Sequence, residues 1–144
     1  MPVAGFNIGR DVTVDLIGQN GSLITFAGVT EFEAKPINKE LTSSRLDGVN
    51  LFATIPAGWE GTVTLDRADS NLDDYIAQIE ALYYAGQTIA YGQITETISE
   101  VSGAITQYRY TNVAYNLEDA GTWKGDDKVV EKLKFKASQK IKVL

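Results

Sequence analysis

The sequence predicts a mainly β fold of the α+β kind: an antiparallel β-barrel or sandwich with one flanking amphipathic helix and a long projecting loop. Three observations carry this. Most of the 144 residues alternate apolar and polar side chains with period two, the mark of half-buried strands. One stretch, residues 68–86, has helical period instead. And residues 39–58 make a long excursion whose stretch 41–47 lacks either period, yet it holds Leu51, Phe52 and Ile55, with Trp59 beside them.

In chain order, residues 1–11 read as an arm. Gly5 and Gly9 flank Phe6 and Ile8, which either tuck along the arm's own barrel or reach a neighbouring subunit; the sequence leaves both open. Residues 12–17, VTVDLI, alternate as a strand, and the Asn20-Gly21 pair that follows signals a hairpin turn. Residues 23–26 form a short strand. Residues 29–40 alternate again, and Pro36 points to an edge or an irregular exit. Asp47-Gly48 is a turn, 49–55 is strand-like, and Pro56-Ala57-Gly58 is expected to turn once more. Residues 39–58 are therefore a projecting hairpin or loop. Long excursions in compact domains are functional or disordered, and the apolar content here argues for an interaction arm.

Residues 61–66, GTVTLD, form a strand that leads into the helix. Leu72, Ile76, Ile79 and Leu82 or Tyr83 make its apolar stripe. Ser70 is the expected N-cap, with Asp73 as capping-box partner, and Asp73 and Asp74 suit the positive end of the helix dipole. Gly86 supplies a left-handed stop. Asp73, Asp74, Gln78 and Glu80 fall mostly off the stripe. Two long strands rich in Thr and Tyr follow at 88–99 and 104–117, suited to a sheet whose second face is wet or meets protein. After a turn-rich link, residues 128–144 alternate almost without error. Val129, Leu133, Phe135, Ala137, Ile141 and Val143 share one face and the lysines the other, with a bend expected at 137–139.

Composition narrows function. The chain is read as one domain, residues 1–144. It has no Cys and no His, which removes disulfides, thiolate chemistry, the usual zinc sites and His-based general base catalysis. The reading is not an enzyme, with no cofactor and no metal. No apolar run reaches the ~20 residues a bilayer span needs, and the N-terminus lacks the pattern of a signal peptide, so no membrane insertion and synthesis in the cytosol are expected. Net charge is −6, but residues 124–144 hold seven lysines against three acids, so the remaining body carries −10. A body this acidic repels nucleic-acid phosphates.

The candidate chemical sites are weak. The acids of residues 66–74 do not match a calcium loop's spacing, and helix capping accounts for Asp69, Asp73 and Asp74. Glu31 and Glu33 share a strand face and could pair as carboxylates, but a solvated face explains them as well. Tyr108, Tyr110 and Tyr115 with Arg109 suit packing better than base stacking.

The order of elements resembles that of phage tail-tube proteins, relatives of the type VI secretion tube protein. The resemblance rests on GWEGTVTLDRADSNLDDYIAQIEALYY (58–84), on GFNIGRDVTVDLIG (5–18) and on the two long strands after the helix; its layout covers nearly the whole chain. The central segment looks most like tubes of contractile-tailed phages. The resemblance implies homohexameric rings whose inner sheets join, and whose stacking builds a hollow tube in a virion tail. A sheath protein surrounds it, and tape-measure protein and DNA pass through without specific binding. Residue by residue, it implies a ring-stacking loop at 39–58 with Lys39, Leu41, Arg45, Asp47, Val49, Leu51 and Phe52. Contacts between subunits would use Phe6, Ile8, Arg10, Phe135, Ile141 and Leu144 in the two terminal segments, 1–11 and 126–144. Glu31, Glu33, Thr95, Glu96 and Thr97 would line the lumen, and Asp73, Asp74, Gln78 and Glu80 would face the sheath. The alternatives are a non-polymerising tail or baseplate tube-initiator or a type VI-like secretion-tube ring protein, and a monomeric β-barrel binding module.

Overall fold

The computed structural model describes residues 5–19, 23–24 and 29–143. Among the described residues a short 3-10 helix (Gly9–Asp11) precedes eight strands and one α-helix: β1 (Val12–Ile17), β2 (Leu23–Ile24), β3 (Val29–Ser44), β4 (Asn50–Asp66), α1 (Asn71–Tyr84), β5 (Gly92–Ser99), β6 (Ile105–Asp119), β7 (Val130–Ala137) and β8 (Gln139–Lys142). All pairings are antiparallel, along the path β2-β1-β5-β6-β7-β4-β3, with β8 also on β6.

The path folds over at β6 into two layers. Its first half pairs with β5 and β8, its second half with β7. Between them Asn112 adopts φ 52, a left-handed residue that bends the strand. The facing strand breaks at the same level, where Ser138 separates β7 from β8 and donates its N–H to the Thr111 carbonyl at 2.9 Å. The bend expected at 137–139 is thus the place where one strand passes from layer to layer. The sheet does not close on itself, so the fold is a sandwich and not a barrel.

Alternation fills the space between the layers. Leu16, Ile94, Tyr110 and Val113 come from one layer, and Val63, Leu133 and Phe135 from the other. Phe32 stacks on Phe135 with centroids 5.6 Å apart, and Tyr110 meets Phe135 edge-on at 5.6 Å. The Tyr110 hydroxyl donates to Glu96 at 2.8 Å, so the buried carboxylate has a partner. Burial, then Glu96, push the Tyr110 phenol far above its usual range.

Helix α1 closes the sandwich at one end. It buries Leu72 and Tyr75, with Ile76 and Ile79 packed against the core; Tyr75 meets Tyr115 edge-on at 5.9 Å. Burying Leu72 fully stabilises by roughly 1.5–3 kcal/mol. Tyr75, not Leu82 or Tyr83, is the second anchor, and Tyr83 is exposed. Ser70 occupies the N-cap position without capping through its side chain; its hydroxyl donates to Asp74 at 2.9 Å. Asp73, expected in a capping box, accepts from Arg67 at 3.0 Å instead. Gly86, at φ 73, ends the helix as expected. Among the described residues, no helix is long and apolar enough to cross a membrane.

Candidate assembly interface

The excursion at 39–58 is the far half of a single long hairpin. β3 and β4 stay paired from Glu31↔Thr64 to Ser44↔Asn50, and the turn closes through Arg45 N–H to the Val49 carbonyl at 3.0 Å. Pro56-Ala57-Gly58 makes no turn. Ile37 pairs with Gly58 and Asn38 with Pro56, so Ala57 is the extra residue of a β-bulge. Gly58 sits there at φ 123, and a Cβ on it would lie 2.7 Å from the Ala137 carbonyl. Only glycine suits that position.

The bulge inverts the hairpin. Side chains of directly opposed residues point the same way. On the sandwich side, Phe32, Ala34, Val63 and Leu65 face the core, while Glu31, Glu33 and Lys35 face out. From Glu31 onward β3 keeps strict alternation, so Lys39, Leu41 and Ser43 stay on the outward side. The bulge brings Ile55, Ala53 and Leu51 of β4 to that side with them. Glu40, Thr42, Ser44, Asn50 and Thr54 take the other side, with Phe52. Leu41, Val49, Leu51 and Ile55 are each 43–48% exposed, and Phe52 is 79% exposed. An apolar face thus projects from the sandwich on the side opposite the protomer's own core, beyond reach of it.

Two sheet edges are also unpaired. Among the described residues β3 pairs only with β4, and β6 beyond Val113 pairs only with β7. Strands β3, β4, β7 and the end of β6 therefore form a four-stranded sheet open at both sides. Its outer face holds a shallow depression of about 520 Å³, lined in part by Glu33, Lys35, Glu60, Thr62, Lys134 and Lys136. Lys35 pairs with Glu33 at 2.8 Å and Lys134 with Glu118 at 3.8 Å.

The lumen residues expected from sequence do not form one wall. Glu31 and Glu33 lie on the outer face of the β3-bearing layer, Thr95 and Thr97 on that of the other. Glu96 points into the core and is 8% exposed, so it lines no surface. Among the arm residues, Phe135 is 1% exposed and belongs to the core. Phe6 and Ile141 are exposed and Ile8 half-buried. Leu144 and the side chain of Arg10 lie outside the described residues. Asp74, Gln78 and Glu80 are on the exposed face of α1, while Asp73 is half-buried against Arg67.

Sequence reading missed one buried group. Glu131 is 0% exposed, with neither carboxylate oxygen hydrogen-bonded and Arg67 Nε 3.8 Å away. Burial, then Asp73, lift it from the ordinary 4.5 to about 7, against the pull of Arg67. Its place on the apolar parity of β7, between Val129 and Leu133, was the available signal. Among the described residues no group of carboxylates is arranged to hold a metal ion.

No family model matches the sequence, and no curated protein matches it. Solved structures do match in fold. A chain of the PVC sheath/tube terminator, from an extracellular contractile injection system in its extended state, superposes with a TM-score of 0.67 at 11% identity; the match covers 99% of this chain and 100% of that one. A chain of the anti-feeding prophage tube-terminating cap gives 0.64 at 8% identity, covering 99% and 95%. A chain from the virion of a native gene transfer agent gives 0.54 at 11%, covering 96% and 100%. At these identities the likeness is one of fold alone, shared with chains of two contractile injection particles and a gene transfer agent.

Proposed function

We propose that this chain is a structural subunit of a phage-tail-like tube and not an enzyme. One observation carries the reading: a protomer whose four-stranded sheet has, among the described residues, two open edges and, beyond it, a hairpin whose apolar face is exposed and turned away from the core. Unpaired edges template further strands, and ring closure removes them. In this reading β3 of one copy continues onto the end of β6 in the next, and six copies close a hexameric ring. The hairpin then joins ring to ring through Leu41, Val49 and Leu51, with Phe52 on its opposite side and Lys39, Arg45 and Asp47 around them. The stacked rings form a hollow conduit through which tape-measure protein and DNA pass. Phe6, Ile8 and Ile141 supply further contacts between subunits. Asp73, Asp74, Gln78 and Glu80 on α1 are the side offered to a sheath, and assembly takes place in a bacterial host's cytoplasm before the tube resides in the particle.

The fold match to chains from a sheath/tube terminator and a tube-terminating cap favours a second reading, a terminal ring that does not polymerise. The two share the lateral edges and differ in stacking.

The lateral edges can be tested by cross-linking, because the natural sequence contains no cysteine. Within a protomer, β3 and β6 are separated by β4 and β7, so facing positions lie roughly 14 Å apart at ~4.8 Å per strand, too far for a disulfide. Glu33→Cys combined with Asn116→Cys or Glu118→Cys should therefore cross-link only between copies. Oxidation is expected to give a covalent ladder ending at six. Monomer alone, in preparations that still assemble, would sink the edge-to-edge arrangement. Deleting residues 41–49 should leave folded protomers that no longer stack; normal tubes from that variant would remove the hairpin from its role.

A further inference from the structure

We propose that the outer face of the four-stranded sheet is a polyanion-contacting surface, in which a file of lysines on β7 takes phosphates and the carboxylates beside it keep the hold weak. Reading this face as the wall of a conduit rests on the ring proposed above; the charge chemistry of the face does not.

One face of the sheet made by β3, β4, β7 and the end of β6 is covered by the second layer, through Phe32, Val63, Leu133 and Phe135. The other face is bare. When neighbouring copies continue this sheet edge to edge, the layer on its covered face takes the wider circumference and the bare face turns to the axis. Alternation decides what that face carries. Glu31, Glu33 and Lys35 point there from β3 and Glu60 from β4. Strand β7 contributes Lys132, Lys134 and Lys136, and the end of β6 adds Glu118 and Asp119. Four lysines thus meet five carboxylates, so this face is close to neutral although the chain carries −6.

The lysines of β7 do not serve to blunt an open edge, because β7 lies between β4 and β6. They recur at every second position, which makes a file roughly 13 Å long. Over that length one nucleic-acid strand presents about four phosphates. Each ammonium group has a carboxylate close by. Lys134 reaches Glu118 at 3.8 Å, Glu60 stands between Lys35 and Lys136 in one cross-strand row, and Asp119 opposes Lys132. Lys35 is held by Glu33 at 2.8 Å. All nine side chains are exposed, and such pairs attract weakly in water. A phosphate can therefore replace a carboxylate partner and be replaced by it in turn. A lysine file without these carboxylates would retain a polyanion through many counterion-releasing contacts, and a purely acidic wall would repel it. The paired arrangement suits a polyanion that must pass and not stay.

The test is the fluorescence anisotropy of a labelled short duplex DNA, titrated with the chain below the concentration at which it assembles. Glu33→Gln with Glu60→Gln should tighten binding about tenfold or more at low salt and steepen its salt dependence. Adding Lys134→Gln and Lys136→Gln to that chain should remove the gain. Asp15→Asn with Glu80→Gln makes the same change in net charge away from this face and should tighten binding less than about threefold. Circular dichroism verifies that each variant is folded. If the face pair binds no more tightly than the distant pair, or if its gain survives loss of both lysines, the file is not a phosphate-contacting surface. Electron microscopy separates this inference from the ring. A chain that shows these charge effects but forms no rings keeps the surface and loses the conduit. Rings and tubes without the charge effects keep the conduit and refute the surface.

Discussion

Replacing Glu131 by Gln tests the energetics of the joint between α1 and β7. In the folded chain this carboxyl is fully buried, neither oxygen is hydrogen-bonded, and its pKa is lifted to about 7 from 4.5. A folded pKa above the unfolded one means the folded state holds the proton more tightly. The favourable contribution is present in full below pH ~4.5 and is lost as pH rises through 7. At pH 8 the ionised carboxylate therefore weakens the fold, by up to ~3 kcal/mol at 1.36 kcal/mol per unit. Arg67 already offsets part of the burial within that shift, and Asp73 and Asp69 add to it. Gln keeps the shape and never ionises. Glu131→Gln is thus expected to be ~1–3 kcal/mol more stable than the natural chain at pH 8, with the difference shrinking to under ~1 kcal/mol at pH 5. Urea unfolding at pH 5, 6, 7 and 8, at concentrations below assembly, measures this. A variant less stable at pH 8 would mean that Arg67 holds a true ion pair with Glu131, and the reasoning would fail.

Three further variants probe the rest of the account. Tyr110→Phe removes the donor to buried Glu96 and should cost about 1–3 kcal/mol in urea unfolding; an unchanged midpoint would show that Glu96 has another partner. Gly61→Ala would drive a Cβ into the Glu33 carbonyl and to 2.7 Å from the Phe135 ring, so a lowered thermal midpoint is expected, and a stability equal to that of the natural chain would contradict the packing of β3, β4 and β7. Leu41→Ser with Leu51→Ser should leave the unfolding midpoint within about 0.5 kcal/mol per site while abolishing long assemblies in sedimentation; a destabilised monomer would place that face against its own core.

Much of this fold was legible from alternation alone. The helix, the terminal strand with its lysine face and the edge position of Pro36 follow from local pattern. What stayed hidden depends on pairing. Pro56-Ala57-Gly58 has the composition of a turn, and only the register with Ile37 and Asn38 makes it a bulge. That one residue decides which side of the hairpin is apolar, so the face was unreadable though its residues were named. Asn112 carries no mark of the bend that divides β6 between layers. Glu96 sits between Thr95 and Thr97 in sequence, yet alternation sends it inward to Tyr110. Glu131 follows the same rule: a carboxylate on an apolar parity is the signal of a buried charge.

Electron microscopy of the purified natural chain tests the central claim most directly. The account predicts rings of six copies seen end-on and long tubes seen from the side, with tubes absent and rings retained after deletion of residues 41–49. A species that stays monomeric at 15.7 kDa at high concentration, with neither rings nor tubes in the field, would contradict it.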